Sequence, residues 1–127
     1  MKRPDRVEDY LAHILEAIAR ATSYISDSRD IQAFERNVRD QDAISRNIEI
    51  IGEAATALRR IAPDLLAAYP EIPWAEMQAM RNFVIHAYFS VNPRIVWNTV
   101  RNDLPLLERQ INDVLTALRS ELGSGKG

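Results

Sequence analysis

Apolar residues recur at helical spacing along most of this chain, and no segment alternates with the two-residue period of a strand. Val7, Leu11, Ile14, Ile18 and Ile25 mark one face of a first helix, over roughly 5–26. Ser26-Asp27-Ser28-Arg29-Asp30 then reads as a turn, and Ile31 to Asn37 as a short helical piece with Phe34 packed inward. A second long helix covers roughly 38–61, with Ile44, Ile48, Ile51, Ala55 and Leu58 as its main stripe. Ile50, Ala54 and Ala57 carry apolar surface further around the cylinder, which predicts cover on more than one side. Gly52 in the middle of this helix costs about 1 kcal/mol relative to alanine, a cost that close approach of another helix explains.

Prolines punctuate the second half of the chain. Pro63 opens a short helical turn through Tyr69, and Pro73 fits a first-turn position of a third helix over about 73–88. Asn92-Pro93 reads as an N-cap followed by proline at the first helical position. A fourth helix runs from there to about 121, with Val100, Leu104, Leu107, Ile111, Val114 and Leu118 on one face, and Pro105 inside it should bend it. The expected architecture is all-α: an antiparallel four-helix-type bundle with three long helices, one shorter one and additional short pieces. Residues 1–122 form this single domain, and Gly-Ser-Gly-Lys-Gly at 123–127 reads as a disordered tail.

Composition narrows the chemistry. The 127 residues suffice for one domain with its own core. No apolar run is long enough to cross a membrane, and the N-terminus lacks the apolar stretch of a signal peptide, so a cytoplasmic protein is expected. The chain has no cysteine, which excludes disulfides, thiolate chemistry and sulfur-ligated metals. The formal charge of -2 argues against a strongly basic nucleic-acid binder, so any RNA contact must come from a local cluster. Arginine outnumbers lysine 14 to two. Arginine suits bidentate phosphate contacts, although a bias spread over the whole chain also reads as codon preference.

The segment Arg81-Asn82-Phe83-Val84-Ile85-His86-Ala87-Tyr88 concentrates the residue types that bind a phosphate, move a proton and accept a modification. On a regular helix Arg81 and Tyr88 share one face, and Asn82 and His86 share another, which suits Asn82 to orient the imidazole. Arg81 and His86 are splayed by about 140°. A curled arginine, a helix that ends near His86, or a second subunit would each reunite them. With RNA as substrate, a histidine titrating near neutrality can take the proton of a 2′-hydroxyl, and an arginine can hold the phosphate that it attacks. No metal or cofactor is needed. A two-fold dimer would supply one histidine as base and another as acid. The competing reading is structural: arginine and histidine near a helix end also cap carbonyls or pair with acids.

Arg46, Glu49 and Glu53 line one face of the second helix and are expected to be paired, either as a salt-bridge network within the bundle or as groups that orient Arg81 or His86. His13 reads as structural or solvated, and Trp74 and Trp97 as core or interface anchors. No Gly-rich phosphate loop, Ser-His-Asp set, zinc spacing or Glu-x-x-His di-metal pattern is present.

Arg81-x4-His86-x-Tyr88 resembles the R-x4-H-x-Y signature of the HepT-like toxins, in the HEPN superfamily of helical ribonucleases. The flanks are similar too: Gln41-Asp42-Ala43-Ile44-Ser45-Arg46, Glu49-Ile50-Ile51-Gly52-Glu53-Ala54, Ile72-Pro73-Trp74, Val96-Trp97 and Leu104-Pro105. The resemblance spans roughly residues 5–118 with no departure at the motif positions. It implies a homodimer with the two R-x4-H segments meeting in an interfacial cleft, and a metal-independent endoribonuclease toxin of a type VII toxin–antitoxin system that leaves a 2′,3′-cyclic phosphate. Arg81 and His86 then match the catalytic pair and Asn82 the polar residue after the arginine. Tyr88 matches the tyrosine that an MntA-type nucleotidyltransferase antitoxin adenylylates to silence the toxin. The alternative is a non-catalytic helical module that docks a nucleotidyltransferase as its substrate or specificity subunit, which the acidic charge favours.

Overall fold

In the computed structural model the backbone is described for residues 6–86 and 92–125, and side chains for 6–80 and 92–121. The described residues are helical, with no strand: α1 (Val7–Ser26), α2 (Ile31–Glu35), α3 (Val38–Ile61), α4 (Pro63–Ala68), α5 (Trp74–His86), α6 (Pro93–Asn98), a π-helical segment (Thr99–Asp103) and α7 (Leu104–Gly125).

Local chemistry sets these boundaries. Asn37 caps α3: its Oδ1 accepts from the Asp40 backbone N–H at 3.1 Å, and its Nδ2 donates to Asp40 Oδ2 at 2.7 Å. The helix stops at Ile61 because a residue before proline avoids the α region, and Ala62, ahead of Pro63, adopts φ -144° and ψ 57°. Pro73 directly precedes α5 rather than occupying its first turn, and its carbonyl accepts from the Met77 N–H at 3.0 Å. Asn92 and Pro93 behave as expected, with Asn92 Oδ1 accepting from the N–H groups of Arg94 at 3.0 Å and Ile95 at 3.4 Å. The last helix extends to Gly125, beyond the expected end near 121.

The irregularity expected at Pro105 takes the form of the π-helical segment just before it. Proline has no N–H to donate to the Arg101 carbonyl and crowds it. Here the backbone widens to i→i−5 bonding, with the Leu104 N–H donating to the Thr99 carbonyl.

The core follows the apolar stripes. Val7, Leu11, Ile14, Ile18 and Ile25 of α1 are all buried, as are Ile44, Ile48, Ile51, Ala55 and Leu58 of α3. They share one core with Val100, Leu104, Leu107, Ile111, Val114 and Leu118. Burial of each such side chain contributes about 1.5–3 kcal/mol. α3 packs most extensively on α1 and α5, and α1 also packs on α7. Arg119 near the end of α7 reaches Glu8 at the start of α1 at 3.2 Å, so these two helices run antiparallel. α2 fastens to the bundle by Phe34, fully buried and 5.5 Å from the Trp97 ring, and by Gln41, whose Nε2 donates to the Phe34 carbonyl at 2.8 Å and the Glu35 carbonyl at 3.1 Å.

Candidate functional site

Helix α5 carries the R-x4-H segment, so the forces that fix α5 fix the site. Trp74 anchors its start: the ring is buried and its Nε1–H donates to the Tyr69 carbonyl at 3.1 Å. One turn on, Gln78 Nε2 donates to Thr56 Oγ1 at 3.3 Å, and Gln78 Oε1 accepts from Arg59 Nη1 at 3.0 Å. Both partners lie near the end of α3, while Gln78 lies near the start of α5. α5 therefore runs back along α3, and the register between the two helices is tied at one end.

Gly52 lies on the same face of α3 as this tie. It is buried, and it precedes Thr56 by four residues, hence one turn along the same face of α3. That face receives Gln78 through Thr56 and Arg59. A glycine there adds no side chain to the face on which α5 packs.

Arg81, Asn82 and His86 fall on the last turns of α5, with Arg81 and His86 separated by about 7.5 Å along the axis at the standard rise. The described part of α5 runs to His86, and Tyr88 lies outside the described residues. The convergence of Arg81 with His86 and the pairing of Asn82 with His86 involve side chains that also lie outside them.

The second predicted group is brought together. Arg46 Nη1 is hydrogen-bonded to Glu49 Oε1 and lies 3.5 Å from Glu53 Oε1. The network is confined to α3 rather than bridging helices. It is also more open than the flanking apolar residues imply, with the Arg46 side chain 59% exposed and Glu53 46% exposed. Such pairs add only about 0.3–0.5 kcal/mol each, so stability alone gives little reason for three charges in a row.

His13 is exposed on α1, edge-on to Tyr10 at 6.0 Å. Trp97 packs on Phe34 and carries the Arg101 guanidinium 5.1 Å from its ring centre, so both tryptophans act as anchors. Among the described residues no group of three or more His, Cys, Asp and Glu could hold a metal ion, and no helix is long and apolar enough to cross a membrane.

Sequence reasoning missed the polar joint at the start of α3. Asp40, Gln41, Ser45 and Asn47 are all buried there. Asp40 could have been found from Asn37 three residues before it, a capping spacing, whereas Gln41 bonds backbone carbonyls and leaves no mark in sequence.

A family model described as "Ribonuclease HepT-like" matches residues 14–114. The chain is 42% identical over 110 residues to "Probable ribonuclease HepT" of Thermococcus cleftensis, covering 85% of this chain and 93% of that protein. It is 34% identical over 118 residues to a "Putative RNase" of Caldanaerobacter subterraneus subsp. tengcongensis, covering 91% of this chain and 96% of that one. A Methanocaldococcus jannaschii protein named "Gamma-glutamylcyclotransferase and putative RNase" is 36% identical over 112 residues, which are 88% of this chain but 49% of that longer protein. No solved structure matches the chain significantly.

Proposed function

Because the chain belongs to the HepT-like ribonuclease family, we propose that it is an endoribonuclease whose catalytic groups are Arg81 and His86 at the end of α5. The observation that carries this reading is the R-x4-H segment itself, which lies inside the matched region 14–114, on a helix tied in place by Trp74 and Gln78. His86 takes the proton of a ribose 2′-hydroxyl, and the freed oxygen attacks the adjacent phosphorus. Arg81 stabilises the charge on the phosphoryl oxygens as the pentacoordinate state forms. The bond from phosphorus to the 5′ oxygen then breaks. That oxygen leaves with a proton as a 5′-hydroxyl, and a 2′,3′-cyclic phosphate remains.

No step calls for a metal or cofactor. A homodimer with the two α5 ends facing one another supplies the acid from the partner's copy of the segment. The helical spacing of Arg81 and His86 supports this, since on one straight helix the two positions diverge. Asn82 orients His86, and Arg46, Glu49 and Glu53 support the site from α3.

Regulation follows from Tyr88 in the R-x4-H-x-Y pattern. Transfer of AMP to its hydroxyl by an MntA-type nucleotidyltransferase antitoxin places a bulky anion two residues from His86, where it repels the RNA phosphate. The protein is then the toxin of a type VII pair.

The test uses unmodified full-length protein and RNA in EDTA. Wild type is expected to cleave and to leave cyclic-phosphate ends, while His86→Ala and Arg81→Ala, with unchanged helical circular dichroism, are expected not to. Equal behaviour of wild type and His86→Ala would end the catalytic reading. Robust binding of a nucleotidyltransferase without RNA cleavage would favour the docking-module alternative.

A further inference from the structure

Beside the α3 face, α5 has a second flank that nothing in the proposed chemistry uses. Between this flank and the start of α7 lies an open groove of ≈ 330 Å³. Its floor is apolar, formed by Met77, Met80, Leu104 and Leu107, and Leu106 stands at its edge with 51% of its surface exposed. The rim carries three exposed carboxylates, Glu71, Glu76 and Asp103. Among the described residues the groove has no lysine or arginine in its lining, and none of these three carboxylates has an ion-pair partner.

We propose that this groove docks a basic amphipathic helix of a partner protein. Two helices that flank an apolar trough offer the usual seat for a third. The trough runs from Pro73 to Met80, about 10 Å along α5, which is room for two apolar side chains spaced i, i+4. Methionines in the floor adapt to differing anchors. The rim carboxylates, which have no ion-pair partner among the described residues, select lysine and arginine beside those anchors and repel nucleic-acid phosphates.

A second copy of this chain is a poor occupant. Its exposed large apolar residues outside the groove, among the described residues, are Val38 beside Arg39 and Ile95 beside Arg94, and neither has an apolar residue at i+4, where Asp42 and Thr99 stand. Arg94 is already paired with Glu35 at 3.4 Å, and Arg101 lies over Trp97. Met80 directly precedes Arg81, so a helix seated in the groove lies beside the R-x4-H segment and is placed to govern access to it. The docking itself does not depend on the ribonuclease reading.

The chain's three methionines, Met1, Met77 and Met80, make the test direct, because two of them line the groove. Full-length protein labelled with 13C at the methionine methyls is titrated with a short synthetic helix bearing leucines at i and i+4 flanked by lysines. A control peptide carries glutamates in place of the lysines. The Met77 and Met80 signals are expected to shift saturably with the lysine peptide and not with the glutamate peptide, while Met1 stays still. Glu76→Lys with Asp103→Lys should weaken the lysine peptide about tenfold at low salt and admit the glutamate peptide. Absence of a saturable shift, or an equal response to both peptides, would overturn the proposal. Shifts that follow protein concentration alone would overturn it in favour of a second copy. RNA cleavage measured on the same samples keeps failure of docking separate from failure of catalysis.

Discussion

Replacing Gly52 by alanine sets two known effects against each other. In an open stretch of helix the change stabilises by about 1 kcal/mol, because glycine forfeits that much helix propensity. Gly52, however, is buried on the α3 face that meets α5, one turn before the Thr56–Gln78 bond. A methyl placed there must push α5 away or strain its neighbours, and extra carbon in a packed interior costs about 1–3 kcal/mol. The two terms leave a net destabilisation of about 0–2 kcal/mol. For a domain of this size that is a melting temperature unchanged or lowered by up to about 8 °C. Thermal unfolding followed by circular dichroism measures it. RNA cleavage by the same variant should fall by more than the loss of folded protein, since α5 carries Arg81 and His86. A rise of about 3–5 °C, the full propensity gain, would refute the close-approach argument.

Two other outcomes rest on the contacts of α3. Gln41→Leu removes the donor that serves the carbonyls of Phe34 and Glu35; it should cost about 1–3 kcal/mol in chemical denaturation, with little change in m-value. Arg46→Ala should alter stability by less than about 1 kcal/mol, because the Arg46 side chain is itself largely exposed and pairs only along one helix. If the α3 network supports the site, the same variant lowers the cleavage rate several-fold, and an unchanged rate would remove Arg46 from that role.

Much of the fold was legible because burial and periodicity express the same force. The α3 stripe from Ile44 to Leu58 and the long stripe from Val100 to Leu118 are buried as their spacing required. Asn37, Pro63 and Asn92 set boundaries by local chemistry, which sequence displays directly. The π-helical segment was not legible: Pro105 predicts an irregularity, but whether a backbone bends or widens depends on how the neighbouring side chains pack. The Arg46 network was legible in its pairing and not in its exposure, since adjacent isoleucine and alanine point elsewhere on the cylinder. Of the site, the helix and the placement of Arg81, Asn82 and His86 on its last turns follow from sequence. The groove between α5 and α7 does not, for its two walls come from residues 71–80 and 102–110, far apart in the sequence.

The widened backbone at Thr99–Asp103 gives the last helix a phase correction. Val96, Val100 and Leu104 are spaced four residues apart, and in a regular α-helix such a run drifts around the cylinder by about 40° at each step. Across the π turn the drift is largely cancelled, and all three remain in the core. The segment works as a built-in spare residue. The chain could lose one position there and regain an unbroken helix, but Val96 and the Trp97 ring that holds α2 would then rotate away from their seats. Length in this stretch is therefore under tighter constraint than side-chain identity, the reverse of what its exposed polar residues would suggest.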